Sequence, residues 1–200
     1  MKNKITNSFP VLTHFNAPNV ITTMGMVFGI IACFFLTQRD LRMAIFALFI
    51  AGVMDLLDGY VASKLKQQTV FGRHLDSLVD FFICCIIPIW MVFDLLGSAL
   101  WIVIPMIFYC LCGLWRLANY NITTKHGKAF TGLPVPGAML CITVAIWFVV
   151  QLNIWIGVAS ITFVVIGVLM ISGISLPKYG LWQKIMGVGG LAFVLHVLMS

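Results

Sequence analysis

Six aspartates supply every acidic side chain of this 200-residue chain, and four of them, Asp55, Asp58, Asp76 and Asp80, crowd into one short stretch. The first two are three residues apart and the last two are four apart, so on helices each pair shares a face. Two helices joined by the short connection between them can aim both pairs at one space. The flanking sequence is apolar, and near a bilayer each unpaired carboxylate costs kilocalories. Something cationic has to compensate. Lys64, Lys66 and Arg73 lie nearby, but lysine side chains snorkel to water and no partner matches each Asp. An all-oxygen ligand set favours Mg²⁺ or Mn²⁺ over zinc, and two such ions sharing carboxylates would suit a diphosphate substrate. The plain alternative is a set of helix-end aspartates solvated at an interface.

The elements that must position these residues are membrane-spanning. Hydrophobic residues make up 62% of the chain and charged ones only 9%, against about a quarter charged in a soluble domain. Crossing roughly 30 Å of hydrocarbon takes about 20 apolar residues. Such runs recur at 20–37, 43–62, 75–96, 99–120, 136–152 and 154–174. A shorter run, 185–199, is either a seventh span or a helix lying in the interface. The expected fold is all-α, a polytopic transmembrane helical bundle of six core spans plus that short seventh, forming a single domain over 1–200. No cleavable signal peptide is expected at the N-terminus.

The net charge of +6 would suggest nucleic acid in a soluble protein. Here the basic residues sit at span ends, where they set topology and meet anionic lipid, so no nucleic-acid partner is expected. With the N-terminus inside, the inner segments hold Lys2, Lys4, Lys64, Lys66, Arg73, Lys125, Lys128, Lys178 and Lys184, and the outer ones only Arg39 and Arg42. This bias puts the Asp-rich connection at the cytoplasmic face of the cell membrane. The six cysteines fall inside apolar spans without zinc spacing and read as small core residues. Gly25 and Gly29 permit close helix contact, either within the chain or in a homodimer.

The run Asp55-Leu56-Leu57-Asp58-Gly59-Tyr60-Val61-Ala62-Ser63, eight residues, then Gly72-Arg73-His74-Leu75-Asp76-Ser77-Leu78-Val79-Asp80 resembles the signature of the CDP-alcohol phosphatidyltransferases. Asp55, Asp58, Gly59, Ala62, Gly72, Asp76 and Asp80 match in register. Ser63 stands where the family has an arginine that helps hold the nucleotide diphosphate, which leaves Lys64 or Arg73 to substitute, or the affinity lower. The resemblance implies that Asp55, Asp58 and Asp76 are the main metal ligands, with Asp80 completing the site and acting as general base on the acceptor hydroxyl. It implies a nucleotide surface of Asp58, Gly59, Ala62, Ser63, Gly72 and Arg73, with Gly59 and Ala62 giving close approach to the backbone.

A second region bears on the acceptor. Gly113-Leu114-Trp115-Arg116-Leu117-Ala118-Asn119-Tyr120-Asn121 and Phe130-Thr131-Gly132-Leu133-Pro134-Val135-Pro136-Gly137-Ala138 resemble the phosphatidylserine synthase branch of that family, although Asn119 replaces a frequent second arginine. The weaker Pro18-Asn19-x-x-Thr22 pattern extends the similarity to the first span. The branch implies CDP-diacylglycerol and L-serine as substrates. Physically, a guanidinium near a span end, as at Arg116, suits a carboxylate or phosphate bidentately; it also suits a positive-inside anchor. Asn119 and Asn121 would orient the acceptor or make local hydrogen bonds at a helix end. Glycerol phosphate or inositol phosphate would demand more basic residues at one pocket, and choline an aromatic cage. A divalent-cation transporter would demand polar residues deep in several spans.

Overall fold

The computed structural model describes residues 13–96, 100–123, 129–177 and 181–200. Helix α1, Ala17–Thr37, starts where the Asn16 side chain accepts a hydrogen bond from the Asn19 N–H and Pro18 occupies the first turn, where its missing N–H costs nothing. Helix α2, Leu41–Lys64, is capped by Asp40, whose carboxylate accepts from the Met43 N–H. Helix α3, Val70–Asp80, is capped by Thr69. It runs on through a π-helical segment, Phe81–Ile86, into α4, Ile87–Leu96. Then come α5, Leu100–Thr123, strand β1, Ala129–Thr131, α6, Val135–Gln151, α7, Gly157–Ile171, β2, Ser175–Pro177, and α8, Leu181–Met199. The two strands pair antiparallel and bring the two ends of the α6–α7 hairpin together.

Among the described residues, four helical stretches are long and apolar enough to cross a membrane: Ala17–Thr37, Leu41–Lys64, Val70–Leu95 and Leu100–Ile122. The runs expected to cross at 136–152 and 154–174 form helices of 17 and 15 residues. At 1.5 Å per residue these are about 26 and 23 Å long, short of the hydrocarbon thickness. Asn153, between them, takes a left-handed backbone with φ 49° and helps end the first early.

Packing inside the bundle relies on small residues. The buried positions of α1 include Asn19, Thr22, Gly25, Gly29 and Ala32, one inward stripe, while α2 answers with Ala44, Ala47 and Ala51. A Cβ at Gly29 would lie 3.0 Å from Ile83 and 3.3 Å from Ile87. The glycine pair therefore serves packing within the chain, and the homodimer expected from it loses its residue support. Leu36, Tyr109, Trp147 and Phe163 are fully buried, whereas Ile30, Phe34, Ile104, Ile107 and Val165 face outward, as lipid-facing positions do. Gly132, between β1 and α6, has φ 77°, and a Cβ there would collide with the Met170 carbonyl; only glycine fits.

The π-helical segment begins directly after Asp80. Position 88, four residues beyond Cys84, is proline and has no N–H to give that carbonyl in α-helical register. The buried Tyr109 hydroxyl of α5 donates to the Cys84 carbonyl at 2.7 Å. Wide turns of this kind tend to occur beside functional sites.

Candidate active site

Asp55 projects from α2 about nine residues before its end, and Asp76 and Asp80 from α3. One carboxylate oxygen from each lies within 4.8 Å of the others. Asp58, one turn further along α2, lines the same cavity together with Thr22 and Gly25 of α1. The residue is only 6% exposed, and its carboxylate accepts a hydrogen bond from the Thr22 hydroxyl. The four aspartates singled out by spacing thus surround one cavity, three converging and the fourth held aside by α1. Oxygens around an octahedral Mg²⁺ at about 2.1 Å sit about 3–4 Å apart, so the converging trio supplies hard donors that a small inward shift would bring to such an ion. Arg116, half-buried on α5, lies within electrostatic range of Asp80, and its Nε has no hydrogen-bond partner.

The residues expected to carry the nucleotide fall on the open side. A Cβ placed at Gly59 would meet nothing within 4 Å, so the helix surface there is free for a ligand. Ala62 is half-buried, and Ser63, Lys64 and Arg73 are exposed. Lys64 lies over the Tyr60 ring, 5.7 Å from its centroid. Gly72 is different. A Cβ there would come within 2.7 Å of Asn19 Oδ1 and 3.1 Å of Thr69 Oγ1, so the approach of α1 already accounts for this glycine.

Of the expected acceptor residues, Asn119 is exposed. Asn121 is not engaged at its own helix end: its Nδ2 donates to Ser77 Oγ of α3 at 2.9 Å, leaving a buried Oδ1 without a partner. His74 is exposed and His14 stacks on Phe71 at 4.3 Å, so neither histidine enters the cavity. Thr22, Asn19, Ser77 and Tyr109 support the site without having been assigned roles from sequence. The Pro18-Asn19-x-x-Thr22 pattern signalled two of them, and the Gly72–Ser77 run, which also resembles the phosphatidylserine synthase branch, contains a third. Asn19 is a brace, its Nδ2 donating to the His14 carbonyl at 2.7 Å while its Oδ1 abuts Gly72.

The CDP-alcohol phosphatidyltransferase family profile matches residues 15–174, most of the chain and all of the cavity. The chain belongs to this family. Among characterised relatives, it is 36% identical over 132 residues to a CDP-diacylglycerol–serine O-phosphatidyltransferase of Methanocaldococcus jannaschii, covering 66% of this chain and 62% of the relative. It is 30% identical over 166 residues to an archaetidylserine synthase of Methanothermobacter thermautotrophicus, covering 80% and 69%. A CDP-diacylglycerol–serine O-phosphatidyltransferase of Bacillus subtilis is 26% identical over 164 residues, covering 81% and 90%. The chain therefore spans less than two thirds of the first of these relatives and most of the third. The matched region contains every aspartate of the cluster and Arg116 and Asn121 of α5.

Proposed function

We propose that this phosphatidyltransferase-family chain moves a phosphatidyl group from CDP-diacylglycerol to L-serine, releasing CMP, at a Mg²⁺ or Mn²⁺ site made by Asp55, Asp58, Asp76 and Asp80. The observation that carries the reading is the convergence of Asp55, Asp76 and Asp80, with the Arg116 guanidinium in electrostatic range of Asp80 and its Nε unpaired. Four carboxylates offer enough oxygens for two ions, and bound divalent ions would offset the charge on the diphosphate and on departing CMP.

The chain's own groups divide the remaining work. The free backbone surface at Gly59, with Ala62 beside it, admits the nucleotide, and Asp58, Ser63, Gly72 and Arg73 border its path. Asp80 accepts the proton of the serine hydroxyl as its oxygen bonds to the β-phosphorus and the bond to CMP breaks. Arg116 takes the serine carboxylate with a planar pair of donors; Asn119 and Asn121 orient the acceptor. Six spans of the bundle, the two shorter helices included, hold the site at the cytoplasmic face of the cell membrane. A single chain supplies every residue named.

The test is CMP release by the purified protein from ester- and ether-linked CDP-lipids, with serine, glycerol phosphate, inositol phosphate and choline as acceptors. Serine should exceed the others by about tenfold or more, one 1.4 kcal/mol step in discrimination. EDTA should abolish the signal and Mg²⁺ or Mn²⁺ restore it. Full activity in metal-free buffer would overturn the metal reading, and a preference for a phosphorylated alcohol would overturn serine.

A further inference from the structure

Two buried atoms on α5 lack partners: Arg116 Nε, a donor, and Asn121 Oδ1, an acceptor. A buried polar atom left unpaired is costly, so each marks a place where a bound group would complete the hydrogen bonding. Both belong to one locale. Arg116 lies in the field of Asp80, and Asn121 is bonded to Ser77. Ser77 and Asp80 are three residues apart on α3 and share a face. Along α5 the two residues are about 7.5 Å apart in rise and about 140° apart around the axis, and both side chains are tied to α3, Arg116 by the field of Asp80 and Asn121 by its bond to Ser77. The NH₂ end of the amide bonds Ser77, and the carbonyl end is the unpaired one.

We propose that Asn121 Oδ1 accepts a hydrogen bond from the α-ammonium of the acceptor, so that Arg116 and Asn121 together read a zwitterion. This rests on the serine reading above and deepens it. A hydroxy acid satisfies only the guanidinium and an amino alcohol satisfies only the amide. A hydroxylated α-amino acid satisfies both and leaves no buried polar atom behind. Selectivity of this kind arises because the wrong ligand strands a buried partner, a stronger discriminator than shape alone.

The experiment measures the serine KM and the inhibition constants of 3-hydroxypropionate, which lacks the ammonium, and ethanolamine, which lacks the carboxylate. Parent, Asn121→Leu, Asn121→Asp and Ser77→Ala proteins are compared in the CMP-release assay. Asn121→Leu should raise the serine KM and the ethanolamine constant by roughly 10–100-fold, the loss of a hydrogen bond to a charged group. The 3-hydroxypropionate constant and the CDP-lipid KM should hold. Asn121→Asp keeps an oxygen acceptor and should lose only a few-fold. Ser77→Ala breaks the same helix-to-helix bond but keeps Oδ1, so it should leave the ratio of serine to hydroxy acid near the parent value. Equal weakening of serine and 3-hydroxypropionate by Asn121→Leu would overturn the proposal, as would Ser77→Ala reproducing the Leu variant. If the parent fails to use serine at all, the serine reading itself falls and this inference with it; discrimination lost only in the variants' pattern overturns the inference alone.

Discussion

Thr22 has one hydroxyl proton and two acceptors in reach, the Pro18 carbonyl at 3.1 Å and the Asp58 carboxylate. The charged acceptor takes the stronger bond, so α1 orients a carboxylate that α2 supplies. Thr22→Val keeps the branched shape and removes that bond. Hydrogen bonds to charged groups are worth roughly 1.5–3 kcal/mol. Mn²⁺ and CDP-lipid affinities should therefore fall together by about tenfold or more, with Thr22→Ser close to the parent. Mn²⁺ binding followed by electron paramagnetic resonance, with calorimetry for the lipid, checks this; unchanged metal affinity in the valine variant would mean Asp58 is held by its helix alone. The aspartates themselves were legible in the sequence because i, i+3 and i, i+4 spacing is local. Thr22 with Asp58, and Asn121 with Ser77, were not, since those pairs lie 36 and 44 residues apart and periodicity carries no information about which helices touch.

At the scale of elements, hydropathy located the four long helices well, because a span's length and composition are set by the bilayer. It placed the fifth run, 136–152, within a residue of α6, but overshot the sixth, 154–174, because apolar residues continue past both ends of α7, Gly157–Ile171. It was blind to the π-helical segment, since inserting one residue into a turn changes register without changing composition. The pin on that segment is testable. Tyr109→Phe removes the hydroxyl that serves the Cys84 carbonyl while keeping the ring packed on Phe163, 5.3 Å between centroids. Leaving a buried carbonyl short of its donor costs about 1–3 kcal/mol, a fall of roughly 2–10 °C in the unfolding midpoint for a chain of this length. Because the segment starts at Asp80, Mn²⁺ affinity should drop as well. A lower midpoint with unchanged metal affinity would show that the wide turn stabilises the bundle without aiming the aspartate.

For the molecule as a whole, the decisive asymmetry is charge. Among the described residues, Lys64, Lys66 and Arg73 lie at the α2–α3 connection, on the Asp58 side, and Arg39 and Arg42 lie at the α1–α2 connection opposite. Basic segments stay in the cytoplasm. A nucleotide-diphosphate head group carries charges that the hydrocarbon excludes, so a site for it must open on the side where that head group is made. The proposed orientation therefore has the turn after α2 inside and the turn after α1 outside. Gln67 and Gln38 are exposed in those two turns, and the native cysteines are buried or half-buried, so an impermeant maleimide on sealed cells has little else to find. Gln38→Cys should label in intact cells, while Gln67→Cys should label only after the membrane is opened. The reverse pattern would put the aspartate cavity on the outer face, away from cytoplasmic CDP-lipid and serine, and the proposed reaction would then lack access to both substrates.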